Sequence, residues 1–539
     1  MKLLRVHIIA AETCGGLLDD LDVSLRSPLF DNTGFDPLCL VGPNGSGKSQ
    51  FLQVLAEIFQ SIYHACVPTE ERDEGNPDTQ FEIEYFIPDS NGEIKHVWIS
   101  RKSSGKRRPI LEIKVKGEED WIELDPGSTL AIDLLPSKIV GYTSGNNETL
   151  SLPFLVSRSG YAEQVRTAAL ADSHEPHEIP DTRLMLIDYG THLEVLVANL
   201  VMGEAEQQHA LLQDAGLSDL HSVRCIIQLA HSAAPKVQRA KRTQTNRKGI
   251  QLTHELETYL DQLRRCATCY SYDEASETYV FDYWINEQTK LAFRAFWDSA
   301  LRLYSSLHKL AMLNDLAIPK PTRDRFKRDT KTRRFASRLP EPQDEDKVFR
   351  FERVSFVSGK SGEVVDYVSL SDGEHQQAQI MGTMCMLSFP NVLFLLDEPE
   401  SHFNPLWRVK FISRVLDLPT NHGDRRSDSG ASEQECLLTT HSPFVPSDMR
   451  RDKVFIFKKR EDGKLEYRHP NVETYGTTFD SILEECFGVR PPISKVPLEE
   501  IDALMHSSDA DEVKTGIDRL GYSVEKIFLI DHLQQLTDK

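Results

Sequence analysis

The stretch LCLVGPNGSGKS, residues 38–49, decides the fold class of this chain. It opens with an apolar run that predicts a buried strand, and its closely spaced glycines predict a tight turn. The segment FLQVLAEIFQSIYHA, residues 51–65, follows with apolar residues at helical spacing and predicts a buried helix. A strand that leads through a glycine-rich turn into a helix is the setting in which GxxxxGK[ST] binds phosphate. We therefore predict an α/β fold built around a phosphate-binding loop.

The residues of this loop suit the phosphates of ATP. Gly42, Gly45 and Gly47 let the backbone curl so that its N–H groups face phosphate oxygens. Lys48 is placed to reach the β- and γ-phosphates, and the hydroxyl of Ser49 is placed to bind Mg²⁺. Unpaired N–H groups at the start of the following helix add to the attraction for anions. We predict that ATP is bound by the whole loop, which comprises Gly42, Pro43, Asn44, Gly45, Ser46, Gly47, Lys48 and Ser49.

A second apolar run, VLFLLDEPE at residues 392–400, ends in acidic residues. An unbroken apolar run is typical of a central parallel strand that is buried on both faces. At the end of such a strand Asp397 is placed to bind magnesium, and Glu398 is placed to orient or activate the attacking water. The alternative is an ordinary strand with solvated acids at its end. The phosphate-binding loop elsewhere in the chain favours the catalytic interpretation.

Two further segments flank this acidic strand in the sequence. Residues 368–387, VSLSDGEHQQAQIMGTMCML, contain a Ser-x-Gly-Glu turn that opens a predicted helix. The turn alone is weak evidence, because Ser, Asp and Gly are common in turns. Residues 436–444, CLLTTHSPF, place His441 at the end of another buried strand. A lone histidine at a strand end is more often structural, but its position and the two preceding threonines favour a functional role.

Together, the phosphate-binding loop, LSDGE, DEPE and TTHSP resemble the ABC-type ATPases of the SMC, RecF and OLD-like branch. The resemblance implies a homodimer or higher oligomer with a composite ATP site, because the LSxGE segment of that family serves the nucleotide held by the other subunit. Ser371 and Gly373 would present a hydroxyl and a backbone N–H to that γ-phosphate, with Glu374 beside them. His441 matches the switch histidine of the family, which contacts the γ-phosphate.

Two positions depart from the pattern of that family. Asp372 stands where transporters commonly carry glycine, which brings an acid close to phosphate. No residue between 80 and 150 matches the glutamine loop. One contact to magnesium or water therefore has no assigned residue.

The phosphate-binding loop and the acidic strand lie about 350 residues apart in the chain, which predicts a split ATPase head. Residues 1–150 and 346–475 are its predicted N- and C-terminal halves. Residues 151–345 are a predicted helical insertion with a basic linker, and residues 476–539 are a short helical C-terminal tail. No segment of the insertion sustains the heptads of a coiled coil. We therefore expect a compact insertion rather than the long arm of SMC proteins.

Individual segments carry their own structural predictions. Alternating apolar residues within 81–143 predict an antiparallel β subdomain beside the core, with IVGYTSG at residues 139–145 as its final strand. Helical patterns occur at residues 184–203, 249–267 and 291–313. The proline-bounded, highly charged segment at residues 319–347 predicts an exposed linker.

The split head, the moderate insertion, the segment FDSILEECFGVRPPISK at residues 479–495 and the helical tail resemble restriction-associated ATPases typified by PtuA. These ATPases belong to Septu and retron antiphage defence systems. The resemblance implies an HNH nuclease partner of the PtuB kind, and in retrons also a reverse transcriptase and its multicopy single-stranded DNA. ATP state would then control the nuclease. We expect no nuclease domain within the chain itself.

Two other interpretations stay open. A RecF- or SMC-like DNA-repair ATPase would bind DNA directly, and an assembly scaffold would keep nucleotide binding without needing hydrolysis. Two basic stretches are candidates for contact with nucleic acid or an acidic partner, and the alternative for each is a solvated loop. The stretches comprise Lys236, Arg239, Lys241, Arg242, Arg247 and Lys248, and then Lys320, Arg323, Arg325, Lys327, Arg328, Lys331, Arg333, Arg334 and Arg338, with Phe326 and Phe335 as candidates for base stacking.

Composition bounds the remaining possibilities. The net charge of −21 opposes general attraction to nucleic acid, so any such contact depends on a local basic patch. No uninterrupted apolar stretch reaches the roughly 20 residues that a membrane span needs, and MKLLRVHIIAA at residues 1–11 is better explained as a strand than as a signal peptide. The nine cysteines are scattered, which suits the cytoplasm, and Cys266 with Cys269 lacks a second ligand pair for zinc.

Overall fold

The computed structural model describes residues 1–12, 15–29, 34–103, 108–144, 148–169, 178–187, 192–230, 247–332, 342–420 and 423–537. Strands and helices alternate irregularly along these ranges. The strands are β1 (Lys2–Ala10), β2 (Leu21–Ser24), β3 (Leu38–Val41), β4 (Gln80–Pro88), β5 (Ile94–Lys102), β6 (Ile110–Lys116), β7 (Trp121–Leu124), β8 (Lys138–Thr143), β9 (Leu184–Ile187), β10 (Leu217–Gln228), β11 (Cys269–Asp273), β12 (Thr278–Trp284), β13 (Phe349–Ser358), β14 (Val364–Asp366), β15 (Val392–Asp397), β16 (Pro419–Thr420), β17 (Gly423–Asp424), β18 (Glu435–Thr439), β19 (Val454–Lys459) and β20 (Leu465–Arg468). The helices are α1 (Lys48–Cys66), α2 (Thr129–Asp133), α3 (Glu148–Ala169), α4 (His192–Met202), α5 (Ala205–Leu212), α6 (His254–Cys266), α7 (Glu287–Arg294), α8 (Ala300–Met312), α9 (Asn314–Ala317), α10 (Lys320–Thr332), α11 (Asp372–Met386), α12 (Pro405–Leu416), α13 (Ser429–Ser432), α14 (Phe444–Ser447), α15 (Phe479–Phe487), α16 (Lys495–His506), α17 (Ala510–Arg519) and α18 (Val524–Thr537).

A seven-stranded sheet forms the centre of the molecule, in the order β20-β19-β3-β18-β15-β8-β9. From β19 to β9 all neighbouring strands are parallel, and β20 is an antiparallel edge strand. Every residue of β3, β15 and β18 is buried, because apolar side chains cover both faces of the sheet. Along β15, Leu393 and Leu395 pack into one hydrophobic core and Phe394 and Leu396 into the other. The apolar run before Asp397 is therefore a central parallel strand, as predicted.

An antiparallel sheet, in the order β2-β1-β4-β5-β6-β7, packs beside the centre. Its strand β4 alternates strictly between buried and half-buried residues, as the sequence pattern predicts for a sheet with one covered face. The prediction that IVGYTSG ends this sheet is wrong. The segment forms β8, which pairs in parallel with β15 and β9 in the central sheet. The reason is that residues 139–143 are all buried, so both faces of the strand need covering.

The segment expected to be a helical insertion also contains strands, and this corrects that expectation. Strands β10, β11 and β12 of this segment pair with β13 and β14, which follow it in the chain, in a five-stranded antiparallel sheet with the order β11-β12-β10-β13-β14. The helical pattern assigned to residues 184–203 divides into strand β9 and helix α4. A short apolar run such as LMLI does not distinguish strand from helix by itself, and pairing with β8 decides in favour of the strand. The division of the chain at residues 150, 345 and 475 stays a prediction.

The first part of the predicted exposed linker is helix α10. A proline near the first position of a helix is tolerated, because its missing N–H group would have no partner there in any case. Arg323 of this helix donates to Glu163 of α3 across 3.3 Å, and its side chain is largely buried. Residues 333–341 of the predicted linker lie outside the described residues.

The region of the predicted helical tail contains helices α15 to α18, and α16 to α18 share a small core of their own around Ile501, Ile517 and Leu529. Within the described ranges, none of the helices combines the length and the apolar character that crossing a membrane requires.

A buried ion pair ties the antiparallel sheet to the centre. Arg26 contacts the carboxylate of Glu435, the first residue of β18, and both side chains are almost fully buried. The same carboxylate accepts a hydrogen bond of 2.8 Å from the backbone N–H of Leu3 in β1. Arg26 also donates to the carbonyl of Asp36 across 2.8 Å. One carboxylate therefore joins the first strand of the chain to a central strand more than 400 residues later.

We expect the substitution Glu435→Gln to destabilise the fold by about 3 kcal/mol, because the buried Arg26 charge loses its nearer counter-ion and keeps only the Asp36 carboxylate at 3.8 Å. Chemical denaturation followed by circular dichroism measures the loss. The matched control is Asp282→Asn, which removes the partner of Arg224 in an exposed ion pair and is expected to cost less than about 1 kcal/mol. Equal effects of the two substitutions would show that the buried pair does not hold the two sheets together.

Candidate nucleotide-binding site

The loop between β3 and α1 has the backbone that phosphate binding requires. Gly42, Gly45 and Gly47 have positive φ angles of 139°, 76° and 79°. A Cβ atom on Gly42 would lie 2.3 Å from the carbonyl oxygen of Phe457 in β19, and one on Gly47 would lie 2.3 Å from Leu465 at the start of β20. The positive φ angle favours glycine at both positions, and at Gly42 the close approach of the β19 backbone also excludes a side chain.

Polar groups of the loop fit a phosphate ligand. Lys48 donates from Nζ to the carbonyl oxygens of Gly42 and Pro43, at 3.0 and 3.2 Å, so its ammonium group already lies over the loop. Burial lowers the pKa of Lys48, and the nearby carboxylates of Glu398 and Asp397 oppose that shift. The hydroxyl of Ser46 is buried and has no hydrogen-bond partner in the described part of the chain. Such an unsatisfied buried group fits a site built to receive a ligand oxygen.

Asp397 lies at the meeting point of three segments. Its Oδ1 accepts a hydrogen bond of 2.8 Å from the Ser49 hydroxyl and one of 2.6 Å from the Thr439 hydroxyl. Burial raises the pKa of Asp397, and these two hydrogen bonds act in the opposite direction. A carboxylate beside a serine hydroxyl provides the hard oxygen ligands that Mg²⁺ prefers. The predicted magnesium ligands Ser49 and Asp397 are therefore in direct contact.

Glu398 and His441 lie next to each other. Oε1 of Glu398 is 3.3 Å from Nε2 of His441, and the two side chains are 39% and 34% exposed. Glu398 has a positive φ angle of 49°, unusual for a residue with a side chain, and its N–H donates to the Thr439 hydroxyl across 3.0 Å. Burial and the charge of Lys48 lower the pKa of His441, so the neutral imidazole prevails at neutral pH. The pair can hold a water molecule and accept its proton.

The Ser-x-Gly-Glu turn forms the start of α11. Ser371 is the N-cap, and its N–H donates to Oε2 of Glu374 across 2.7 Å in a capping box. Ser371 is exposed, whereas Gly373 is buried against the loop that follows β15. A Cβ atom on Gly373 would lie 2.8 Å from the carbonyl oxygen of His402. The turn is thus anchored by its glycine and presents its serine to solvent.

Two residues of the site were missed by the sequence predictions. The Thr439 hydroxyl donates a hydrogen bond to Asp397 and accepts one from the backbone N–H of Glu398. Glu400 is 2% exposed, accepts a hydrogen bond from the Thr440 hydroxyl, and has a pKa that burial raises to about 7. The available signals were the paired threonines before His441 and the second glutamate of DEPE. Neither pattern reveals a buried carboxylate without the tertiary structure.

Among the described members of the two basic stretches, Arg247, Lys248, Arg323 and Arg325 have acidic or carbonyl partners, and Lys320 and Arg328 are exposed on α10. Arg247 pairs with Glu257, Lys248 donates to the Glu274 carbonyl, and Arg325 lies 3.4 Å from Asp329. The remaining members fall outside the described residues or side chains; these are Lys236, Arg239, Lys241, Arg242, Phe326, Lys327, Lys331, Arg333, Arg334, Phe335 and Arg338.

The cysteine predictions concern disulfides and a zinc site. Cys266 is buried and Cys269 is exposed. Among the described residues no group of three or more His, Cys, Asp or Glu side chains is arranged to hold a metal ion. The eight cysteines that the structure describes are all free thiols.

Part of this site is similar to a known protein family. Residues 254–448 match a family described as "AAA domain, putative AbiEii toxin, Type IV TA system". The matched stretch covers rather more than a third of the chain and contains Ser371, Asp397, Glu398 and His441, whereas the phosphate-binding loop precedes it. No curated protein matches the chain at a significant level. This stretch is therefore similar to AAA-type ATPase domains, and the similarity supports ATP binding.

We expect Lys48→Ala to weaken ATP binding by about 10- to 100-fold, because charge-assisted hydrogen bonds to the phosphates are lost. Titration calorimetry with ATP and Mg²⁺ measures the affinity. The control is Lys102→Ala, which removes a half-exposed lysine from the antiparallel sheet and should leave the affinity unchanged. An unchanged affinity in Lys48→Ala would refute the assignment of the loop.

Glu400 predicts a pH dependence of stability with a defined sign. Its carboxyl has an ordinary pKa of 4.5 when unfolded and a pKa of about 7 when folded, so the folded state binds the proton more tightly. The stability contributed by the neutral carboxyl is present below pH 4.5 and falls by about 3 kcal/mol as the pH rises to 7.

We therefore expect the melting temperature of Glu400→Gln, relative to the wild type, to increase between pH 5 and pH 8. Thermal melts of the nucleotide-free protein at the two pH values provide the comparison. Glu71, whose pKa burial also raises to about 7, is present in both proteins and cancels in the difference. A constant difference across this range would contradict a buried neutral Glu400.

Proposed function

We propose that this protein is an ABC-type ATPase that binds and hydrolyses Mg-ATP. The observation that carries the proposal is the contact of Asp397 with both Ser49 and Thr439, which brings the loop, the acidic strand and the histidine strand together. Bound ATP and Mg²⁺ would supply the scissile phosphoanhydride bond and the charge that polarises it. Lys48 would hold the phosphates, and Ser49 with Asp397 would hold the metal. Glu398, positioned by its backbone bond to Thr439, would orient the attacking water.

Two copies of the chain would complete each ATP site. The support is the exposure of Ser371 at the start of a 15-residue helix, whose positive dipole end favours an anionic ligand. Gly373 packs on the His402 carbonyl in the same chain, so the turn is rigid before a partner arrives. We propose that Ser371, Gly373 and Glu374 of each copy serve the nucleotide held by the other.

Glu398→Gln is expected to keep ATP affinity and to slow hydrolysis by about 100-fold or more, because the carboxylate that accepts the proton of the water is lost. The variant should accumulate as a dimer in ATP, which mass measurement in solution with and without ATP detects. The double variant Glu398→Gln/Ser371→Arg is the control, since a bulky cation in the signature turn should prevent the dimer. ATP turnover at the wild-type rate in Glu398→Gln would remove Glu398 from the mechanism.

We further propose that the ATPase belongs to an antiphage defence system and controls a partner. The matched family is described as a toxin of a type IV toxin–antitoxin system, which supports a role in defence rather than transport. The proposed partner is an HNH nuclease of the PtuB kind, joined in a retron by a reverse transcriptase and multicopy single-stranded DNA. The site of action would be the cytoplasm.

Co-expression with a neighbouring reading frame that encodes an HNH protein tests this proposal. Co-purification of a stable complex, and loss of phage protection by Glu398→Gln, are the expected results. Tight DNA binding by the isolated chain, with DNA-stimulated ATP turnover, would instead support a RecF-like repair ATPase. Full phage protection by Glu398→Gln would support a scaffold that does not need hydrolysis.

A further inference from the structure

A buried threonine connects the three loops of the candidate site. The backbone N–H of Thr440 donates to the Leu40 carbonyl of β3 across 3.2 Å. Its hydroxyl donates to Oε1 of Glu400, in the loop that follows β15. The same hydroxyl accepts a hydrogen bond of 2.9 Å from the N–H of Ser442. Thr440 is fully buried, so these contacts are shielded from water.

These contacts lie close in the sequence to Glu398 and His441, the pair that would orient the attacking water and accept its proton. Glu398 lies two residues before Glu400, and His441 lies between Thr440 and Ser442. The bond between Thr440 and Glu400 therefore ties together the two turns whose side chains, Glu398 and His441, meet at 3.3 Å. A misplacement of about 1 Å at such a pair is enough to reduce a reaction rate severely.

The chemistry of the contact is specific. The hydroxyl accepts from the Ser442 N–H and donates to a carboxyl oxygen through one atom, which an apolar side chain of the same shape cannot do. Glu400 is 2% exposed, and its second oxygen has no hydrogen-bond partner in the part of the chain described by the structure. Burying a polar oxygen without a partner is destabilising. A contact with a purely structural purpose would be served at least as well by apolar side chains.

We propose that Thr440 and Glu400 are positioning residues that set His441 against Glu398 for ATP hydrolysis, an inference that rests on the proposed ATPase function. They act through the two turns and do not touch the nucleotide themselves. Their removal should therefore change the rate of the chemical step and leave ATP binding intact.

Steady-state ATP hydrolysis and ATP titration on the full chain test this role. Thr440→Val keeps the shape of the side chain and removes the hydroxyl, and we expect kcat to fall about 10- to 100-fold with KM and ATP affinity within about twofold of the wild type. Thr440→Ser restores the hydroxyl and should recover kcat to within about threefold. Wild-type kcat in Thr440→Val would overturn the proposal.

Glu400 provides a second variant that does not depend on the stability of Thr440→Val. Glu400→Met removes the acceptor while relieving the buried polar oxygen, so it is expected to fold and to lower kcat as Thr440→Val does. Glu400→Gln keeps an acceptor oxygen and should retain most of the rate. A Glu400→Met protein with a cooperative melt and full kcat would also overturn the proposal.

A double-mutant cycle shows whether the effect passes through His441. In a His441→Ala background, Thr440→Val should cause little further loss, because the residue that it positions is already absent. Thr474→Val is the matched control; it removes another buried threonine hydroxyl, which donates to the Met449 carbonyl, and should leave kcat unchanged. Additive losses in the cycle would contradict positioning through His441.

Different results would overturn the proposed ATPase function and the positioning role of Thr440 and Glu400. Absence of ATP turnover in the wild-type chain and in its complex would overturn the proposed function and the positioning role together. Normal turnover in the wild type and in Thr440→Val would overturn the positioning role alone.

Discussion

The candidate site depends on two hydrogen bonds that a single oxygen atom, Oδ1 of Asp397, accepts. It accepts hydrogen bonds from Ser49 at the start of α1 and from Thr439 at the end of β18, while Asp397 itself ends β15. The three segments lie far apart in the chain. They meet because parallel strands bring their carboxyl ends to one edge of a sheet, with β18 between β3 and β15. The burial of that edge strengthens the hydrogen bonds and raises the pKa of the carboxyl.

The outer parts of the molecule are attached to this edge by contacts of the same polar kind. The first turn of α11 packs on the loop after β15, where Gly373 approaches the His402 carbonyl and Gln376 accepts from the His402 N–H across 3.0 Å. Gln376 also donates to the Ser401 hydroxyl. The segment proposed to serve a partner's nucleotide is thus connected directly to the loop that follows Glu398. In the proposed dimer this short path would connect the two ATP sites.

The parts of the fold that could be predicted from sequence are those with strong local patterns. The glycines of residues 42–47 and the apolar run of β15 each identify their own structure, since backbone freedom and burial on both faces are legible in a few residues. The sequence did not show to which sheet IVGYT belongs, because the segment could form a strand of the antiparallel sheet or of the central sheet until its neighbours are known. LMLI was mistaken for a helix, and the charged segment that begins at Lys320 was mistaken for a linker. In each case the structure of the segment depends on a partner that is distant in the sequence, as Arg323 of α10 depends on Glu163 of α3.

By itself, the sequence determined the phosphate-binding turn, the acidic strand end and the identity of the side chains that meet there, because each depends on residues close together in the chain. Only the tertiary structure decided the strand order, the contact between Glu398 and His441, and the burial that raises the pKa of Glu400 to about 7. The burial of a side chain and its affinity for a proton depend on all of its neighbours, which several distant segments of the chain contribute. Those neighbours exist only after the chain has folded.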